Sequence, residues 1–166
     1  MTAAIILKIL LGINGDQEPS ATREALLRPI ALAIQQASSG DRDKAAYLIA
    51  LGAVESNFMR YVIEGRCQEG RYKCDIDPKT GKPRALGPWQ LWEAACSRAH
   101  KAGSASFEIQ TECVLSLAAF HARKCQASGP RNWSNSFAGH AGHSCKGSDP
   151  RWQKREALRL KYKERL

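Results

Sequence analysis

The chain has 166 residues, 43% of them hydrophobic and 25% charged, which suits one ordinary soluble domain with a real core and excludes a low-complexity or disordered polymer. Lysine and arginine number 25 against 16 acids, a formal charge of +9. That balance favours an anionic partner, either nucleic acid, an acidic membrane face or an anionic polymer such as bacterial cell wall, and charge alone does not choose among them.

Ala3 to Leu11 is apolar, but Lys8 splits the run and no basic segment precedes it. It is too short to span a bilayer and has no convincing cleavage site after it, so it reads as an amphipathic first helix ended by Gly12 and Gly15. Export then needs another route or a leader already removed. A second helix is expected from Ser20 as N-cap through Leu26, Leu27, Ile30, Leu32 and Ile34, with Pro29 marking a kink or a late start. Ser38 to Asp41 is a loop, with Asp41 or Ser39 capping a third helix.

The third helix, Lys44 to Glu55, carries one acid in a dense apolar run. At about 100° per residue, Leu48 and Glu55 lie on nearly one line, with Ala45, Leu51 and Gly52 close by. A carboxylate on a core-facing stripe is costly unless paired, protonated or used. Ser56-Asn57 suggests that the helix ends there, which puts Glu55 at the rim of the core. The plain alternative is an acid leaning outward from a fraying end.

From Met59 to Pro88 glycine, proline and charge dominate. Asp77 to Pro83 is turn chemistry, and Tyr72–Ile76 with Pro83–Leu86 are the expected arms of a small hairpin, the one β element. Gly87-Pro-Trp-Gln-Leu-Trp92 is expected to lead into a short helix through Ala94, Ala95 and Cys96. Phe107 to Cys125 should be the longest regular helix, stopped by Ser128-Gly-Pro130. Asn132 to Gly147 reads as a surface loop. The basic tail, 150–166, carries Leu158, Tyr162 and Leu166 at helical spacing and reads as a docking helix. No repeat or long linker divides the chain, so residues 1–166 are taken as one domain, mainly α with a small hairpin or flap.

Six cysteines stand at positions 67, 74, 96, 113, 125 and 145, and none forms a C-x-x-C pair. An even count without metal spacing favours three disulfides and an oxidising compartment, with Cys67–Cys74 the favoured short staple among the fifteen pairings possible for Cys67, Cys74, Cys96, Cys113, Cys125 and Cys145. The alternative is a set of reduced, buried thiols.

Three segments line up in order: Glu55-Ser56-Asn57-Phe58 at a helix end, Gly87-Pro88-Trp89-Gln90 after a turn-rich flap, and Phe137-Ala138-Gly139-His140 after a long helix. This order resembles the lysozyme-like lytic transglycosylases and the related goose-type lysozymes, over about residues 45–142, roughly three fifths of the chain. The resemblance implies a mainly helical, two-lobed domain with a cleft, cutting the β-1,4 bond between N-acetylmuramic acid and N-acetylglucosamine of peptidoglycan. Two departures stand out. Phe137-Ala138 replaces the family's Tyr-Asn pair, and Pro88-Trp89-Gln90-Leu91 replaces its hydrophobic-Met-Gln-aliphatic run.

The resemblance carries Glu55 as catalytic acid and Gly87, Gln90, Phe137 and Gly139 as substrate-binding positions, and Ser56 and Trp89 beside them are taken as further substrate-binding candidates. Cleaving a glycosidic bond requires a proton for the leaving oxygen while oxocarbenium-like charge develops. A Glu against apolar walls keeps its proton toward neutrality and fits that task. A transglycosylase then draws a proton from the sugar's own 6-hydroxyl. A hydrolase needs a second carboxylate, for which Asp75 and Asp77 are candidates with Glu64 and Glu69 behind them, although Asp77-Pro78 is also an ordinary turn opener. Gln90 suits an acetamide and Trp89 or Trp92 a pyranose face, and either indole suits the core equally.

Rival chemistries are weaker. His140, His143 and Cys145 with His121 offer zinc ligands, but on a glycine-rich loop, so neither a metal nor a cofactor is expected. A cysteine peptidase needs a free thiolate that paired cysteines do not leave. From another class comes a lysozyme-like domain that only grips peptidoglycan. The expected partner is peptidoglycan, with no nucleic acid, no stable membrane insertion and a monomeric, extracytoplasmic protein.

Overall fold

The computed structural model describes residues 1–13, 19–66, 76–125 and 150–166, with the backbone alone at Arg151 and Trp152. Cys67, Cys74 and Cys145 lie outside the described residues, as do Asp75, Glu69, Gly15, the 72–75 hairpin arm, Phe137, Gly139, His140 and His143.

The described chain is mainly helical with one small antiparallel sheet. Helix α1, Ala3–Leu11, opens on Thr2, whose hydroxyl accepts from the Ile5 N–H, and closes on Gly12. Ile6, Leu7, Ile9 and Leu10 bury its inner face against α2, Ser20–Ser38. Pro19 rather than Ser20 is the N-cap residue, and α2 starts on time and runs through Pro29. A proline there removes one backbone donor. Burial of Leu27, Ile30, Ala31, Ala33 and Ile34 on both sides of it holds the helix together. Buried Arg23 donates to the Ile13 carbonyl at 2.8 Å and the Phe58 carbonyl at 3.4 Å, tying the first turn of α2 to two chain ends that have left their helices.

Helix α3, Arg42–Glu55, is the axis of the fold. The Asp41 carboxylate caps it, accepting from the N–H groups of Asp43 at 2.9 Å and Lys44 at 3.3 Å. Every residue from Ala45 to Gly52 is buried, so the helix is apolar all round, as a core helix must be. It is packed by α2, by α6 and by the C-terminal helix.

A short helix α4, Arg60–Ile63, follows. Ile76 and Pro83 then form one isolated bridge across the Asp77–Lys82 turn, the remnant of the expected hairpin within the described residues. The sheet itself lies one turn later. Strand β1, Ala85–Leu86, pairs with β2, Leu91–Trp92, in the register Ala85 with Trp92 and Leu86 with Leu91. Helix α5, Ser97–Ala102, starts after Cys96 and not at Ala94, because Trp92 to Ala95 is spent in a turn closed by the Ala95 and Cys96 N–H groups on the Trp92 carbonyl. Helix α6, Phe107–Lys124, forms where expected but at 18 residues is not the longest, since α2 runs to 19 by continuing through Pro29, and the Cys96–Cys113 disulfide fastens the start of α5 to α6. Cys125 is disulfide-bonded too.

The tail forms helix α7, Pro150–Arg165, and docks along α3. Tyr162 and Leu166 are buried and Leu158 packs at the core's edge. Asp43 at the start of α3 pairs with Arg159 and Lys163, and Glu55 at its end pairs with Arg155, so the two helices run antiparallel. Among the described residues no helix is long and apolar enough to cross a membrane.

Candidate functional site

Glu55 is the last residue of α3, and the helix stops behind it for identifiable reasons. Ser56 turns back on the last turn, its N–H and its hydroxyl both donating to the Gly52 carbonyl at 3.0 Å. Its hydroxyl then accepts from the Phe58 N–H at 3.1 Å. Asn57 and Phe58 both take left-handed φ, 50° and 51°. For residues other than glycine that costs about 1–2 kcal/mol each. Full burial of the Phe58 ring returns a comparable amount, about 1.5–3 kcal/mol. The ring lies on Gly52 so closely that a Cβ there would be 2.4 Å from Cζ. The Glu-Ser-Asn-Phe stretch is therefore a folded-back helix end that presents Glu55.

Glu55 faces a cleft of about 300 Å³ lined also by Gln90, Leu91, Trp92, Ala95, Leu117, His121 and Arg155. Its side chain is 23% exposed, and Nη2 of Arg155 reaches its Oε1 at 2.5 Å. Burial raises the Glu55 pKa and the Arg155 charge pulls it back, with burial prevailing. Tyr47, two turns earlier on α3, is wholly buried. Burial raises its hydroxyl's pKa as well, with Arg155 lowering and Glu55 raising it, so the three groups share one electrostatic neighbourhood. His121 is held below its ordinary pKa, first by burial and then by Lys124.

The turn between the strands supplies the opposite wall. Gly87 and Gln90 take left-handed φ, 67° and 48°. The Gln90 side-chain amide donates to the Gly87 carbonyl at 2.8 Å, which fixes it in the cleft wall. Trp89 points the other way. It is fully buried, and its indole N–H donates 2.9 Å to the Leu48 carbonyl of α3, so it is a core residue that aligns the turn with α3. Trp92, half exposed, is the indole of the cleft.

Of the expected site residues, Glu55 and Gln90 are brought together in the cleft. Ser56 and Gly87 are buried behind it and act on the backbone, and Phe137 and Gly139 lie outside the described residues. Asp77 opens its turn, accepting from the Lys79 N–H at 2.8 Å, and does not line the cleft. Glu64 is likewise elsewhere, held below its ordinary pKa, against the pull of burial, by Arg66 and Arg60. Among the described residues Glu55 is the one carboxylate on the cleft, and no cluster of His, Cys, Asp and Glu able to hold a metal occurs.

Sequence reasoning missed Arg155. Its signal was the continuation of the buried stripe backward from Leu166 and Tyr162 to Arg159 and Arg155, at helical spacing. No family model, curated protein or solved structure matches the chain.

Proposed function

We propose that the protein cleaves the glycan strand of peptidoglycan, as a lysozyme-like lytic transglycosylase or muramidase with Glu55 as its single general acid and base. One observation carries this reading: a partly desolvated carboxyl, with its pKa raised, faces a cleft beside a fixed amide and a half-exposed indole. Protonated Glu55 gives its proton to the glycosidic oxygen as the C1–O bond breaks. Its carboxylate then takes a proton from the hydroxyl that attacks C1. That hydroxyl is the sugar's own 6-OH in a transglycosylase and water in a hydrolase. The 6-OH route needs only the one carboxyl, and the hydrolytic route would add a second carboxylate to it. The Gln90 amide suits the substrate's acetamide and Trp92 suits a pyranose face. The +9 charge favours encounter with an anionic wall. Disulfides at Cys96–Cys113 and Cys125 suit an extracytoplasmic setting. The reaction as written needs no cofactor.

A second reading has its own support. The Arg155 pair favours an ionised, structural Glu55, as in a domain of this kind that binds glycan without cutting it. Mass spectrometry of fragments released from purified peptidoglycan by wild type and by Glu55→Gln separates the two. Anhydro-muramyl ends from wild type alone are expected. Equal release by Glu55→Gln, or wall binding without release by either protein, overturns the proposal.

A further inference from the structure

Arg155 and Arg159 stand one turn apart on α7, and both are buried, yet they are used differently. Every side-chain nitrogen of Arg159 has an acceptor. Nε and Nη2 bond the Glu156 carboxylate at 2.8 and 2.6 Å, and Nη1 bonds Asp43, which Lys163 also reaches at 2.9 Å. This set, with buried Tyr162 and Leu166, docks α7 on α3.

Arg155 makes fewer bonds than Arg159. Its side chain is 9% exposed, and only Nη2 is bonded, to Glu55. Nε and Nη1 are buried with no acceptor among the described residues. Desolvated donors without acceptors work against folding, and a buried ion pair is weak grounds for stability in any case. The placement makes sense at the other end of the contact, in the cleft that both residues line.

We infer that Arg155 is a positioning residue, holding the Glu55 carboxyl toward the cleft and stabilising the carboxylate that forms when the proton leaves. The inference rests on the glycosidase reading. Arg155 supplies no proton. The proton passes from Glu55 to the leaving oxygen and returns from the attacking hydroxyl, while the guanidinium stays charged throughout. Without it, burial alone would govern Glu55 and raise its pKa further. The other titratable neighbours are Tyr47, from the same helix, and His121, from α6 across the cleft. His121 is held below its ordinary pKa and Glu55 above its own, shifts that draw the two toward each other, so a pH profile alone would not separate them.

The test therefore follows the Glu55 carboxyl directly, by NMR of glutamate-labelled full-length protein, with Glu55→Gln assigning the signal. In Arg155→Met the Glu55 midpoint should rise by about one to three pH units, the amount a neighbouring opposite charge is worth. The alkaline limb of glycan cleavage should move with it. Arg155→Lys, which keeps the charge but loses the planar fork, should restore most of the midpoint yet lower kcat with KM nearly kept. An unchanged midpoint in folded Arg155→Met overturns the inference. If that variant does not fold, wild-type kcat in Arg155→Lys overturns it instead. A midpoint that follows Arg155 in a protein releasing no glycan fragments sinks the proposed function but leaves the Arg155–Glu55 coupling standing. Release that depends on Glu55 but not on Arg155 does the reverse.

Discussion

Gly87→Ala tests the frame that holds the cleft wall. Gly87 sits at φ 67°, where an alanine costs about 1–2 kcal/mol in backbone energy alone. A Cβ there would stand 1.9 Å from Oε1 of Gln110 and 2.7 Å from its Cδ, far inside van der Waals contact. The Gln110 amide has nowhere easy to go. It is wholly buried and donates to the Ser104 carbonyl at 2.9 Å, so displacement breaks that bond as well as the packing. Overpacking of this kind costs about 1–3 kcal/mol. The two contributions act in the same direction and add to about 2–5 kcal/mol. For a chain of this size that lowers Tm by about 4–20 °C. Thermal and urea unfolding followed by circular dichroism, with disulfides intact, reads the loss. Gln110→Ala alone and combined with Gly87→Ala completes a double-mutant cycle. With the amide removed, the Gly87→Ala cost should fall to its backbone part, about 1–2 kcal/mol. A cost below about 0.5 kcal/mol, the range of an ordinary surface change, would refute the reasoning. So would a cost that Gln110→Ala leaves untouched.

Two further outcomes follow from titration. Burial works against Asp43, but Lys163 and Arg159 hold its carboxyl below the ordinary 3.8, so its contribution is present above that value and lost as pH falls through the folded one. Asp43→Asn should cost about 1 kcal/mol at neutral pH in urea titration. The gap to wild type should close in acid, and a gap that persists there refutes the ion-pair account. Glu55 runs the opposite way. Its folded pKa lies above the ordinary 4.5, so its contribution is full below that value and is lost as pH rises through the folded one. The stability of wild type minus that of Glu55→Gln should therefore fall across that window, at up to about 1.4 kcal/mol per pH unit, and a flat or rising difference refutes the assignment.

The long helices were legible because each carries its own reason to form. Asp41 caps α3, and the apolar runs of α1, α2 and α6 repeat at helical spacing. Pro29 argued for a kink or a late start of α2, yet the helix begins at Ser20 and runs through the proline, with burial on both sides outweighing the lost donor. The sheet was not legible, since strands of two residues have no alternation to read. Turn chemistry was recognised at Asp77–Pro83, where a single bridge forms among the described residues. The ladder closes on the next turn, because Gly87 and Gln90 both accept left-handed φ.

The same turn explains why Trp89 and Trp92 were not separable from sequence. Both are apolar neighbours of one glutamine, and which indole enters the core depends on where the chain reverses. The bond from Trp89 to the Leu48 carbonyl settles it inward, and the Ala85–Trp92 pairing leaves the other indole at the cleft. Glu55 was legible because an acid on an apolar helix advertises its own cost. Arg155 was not, because a cation in a basic tail reads as solvated surface, and its partner lies 100 residues away in the chain. Periodicity reveals which face of α7 is buried. It cannot distinguish Arg159, satisfied by Glu156 and Asp43, from Arg155, left with Glu55 alone. That difference arises only when α7 lies antiparallel on α3 and brings one arginine to the start of the helix and the other to its cleft end.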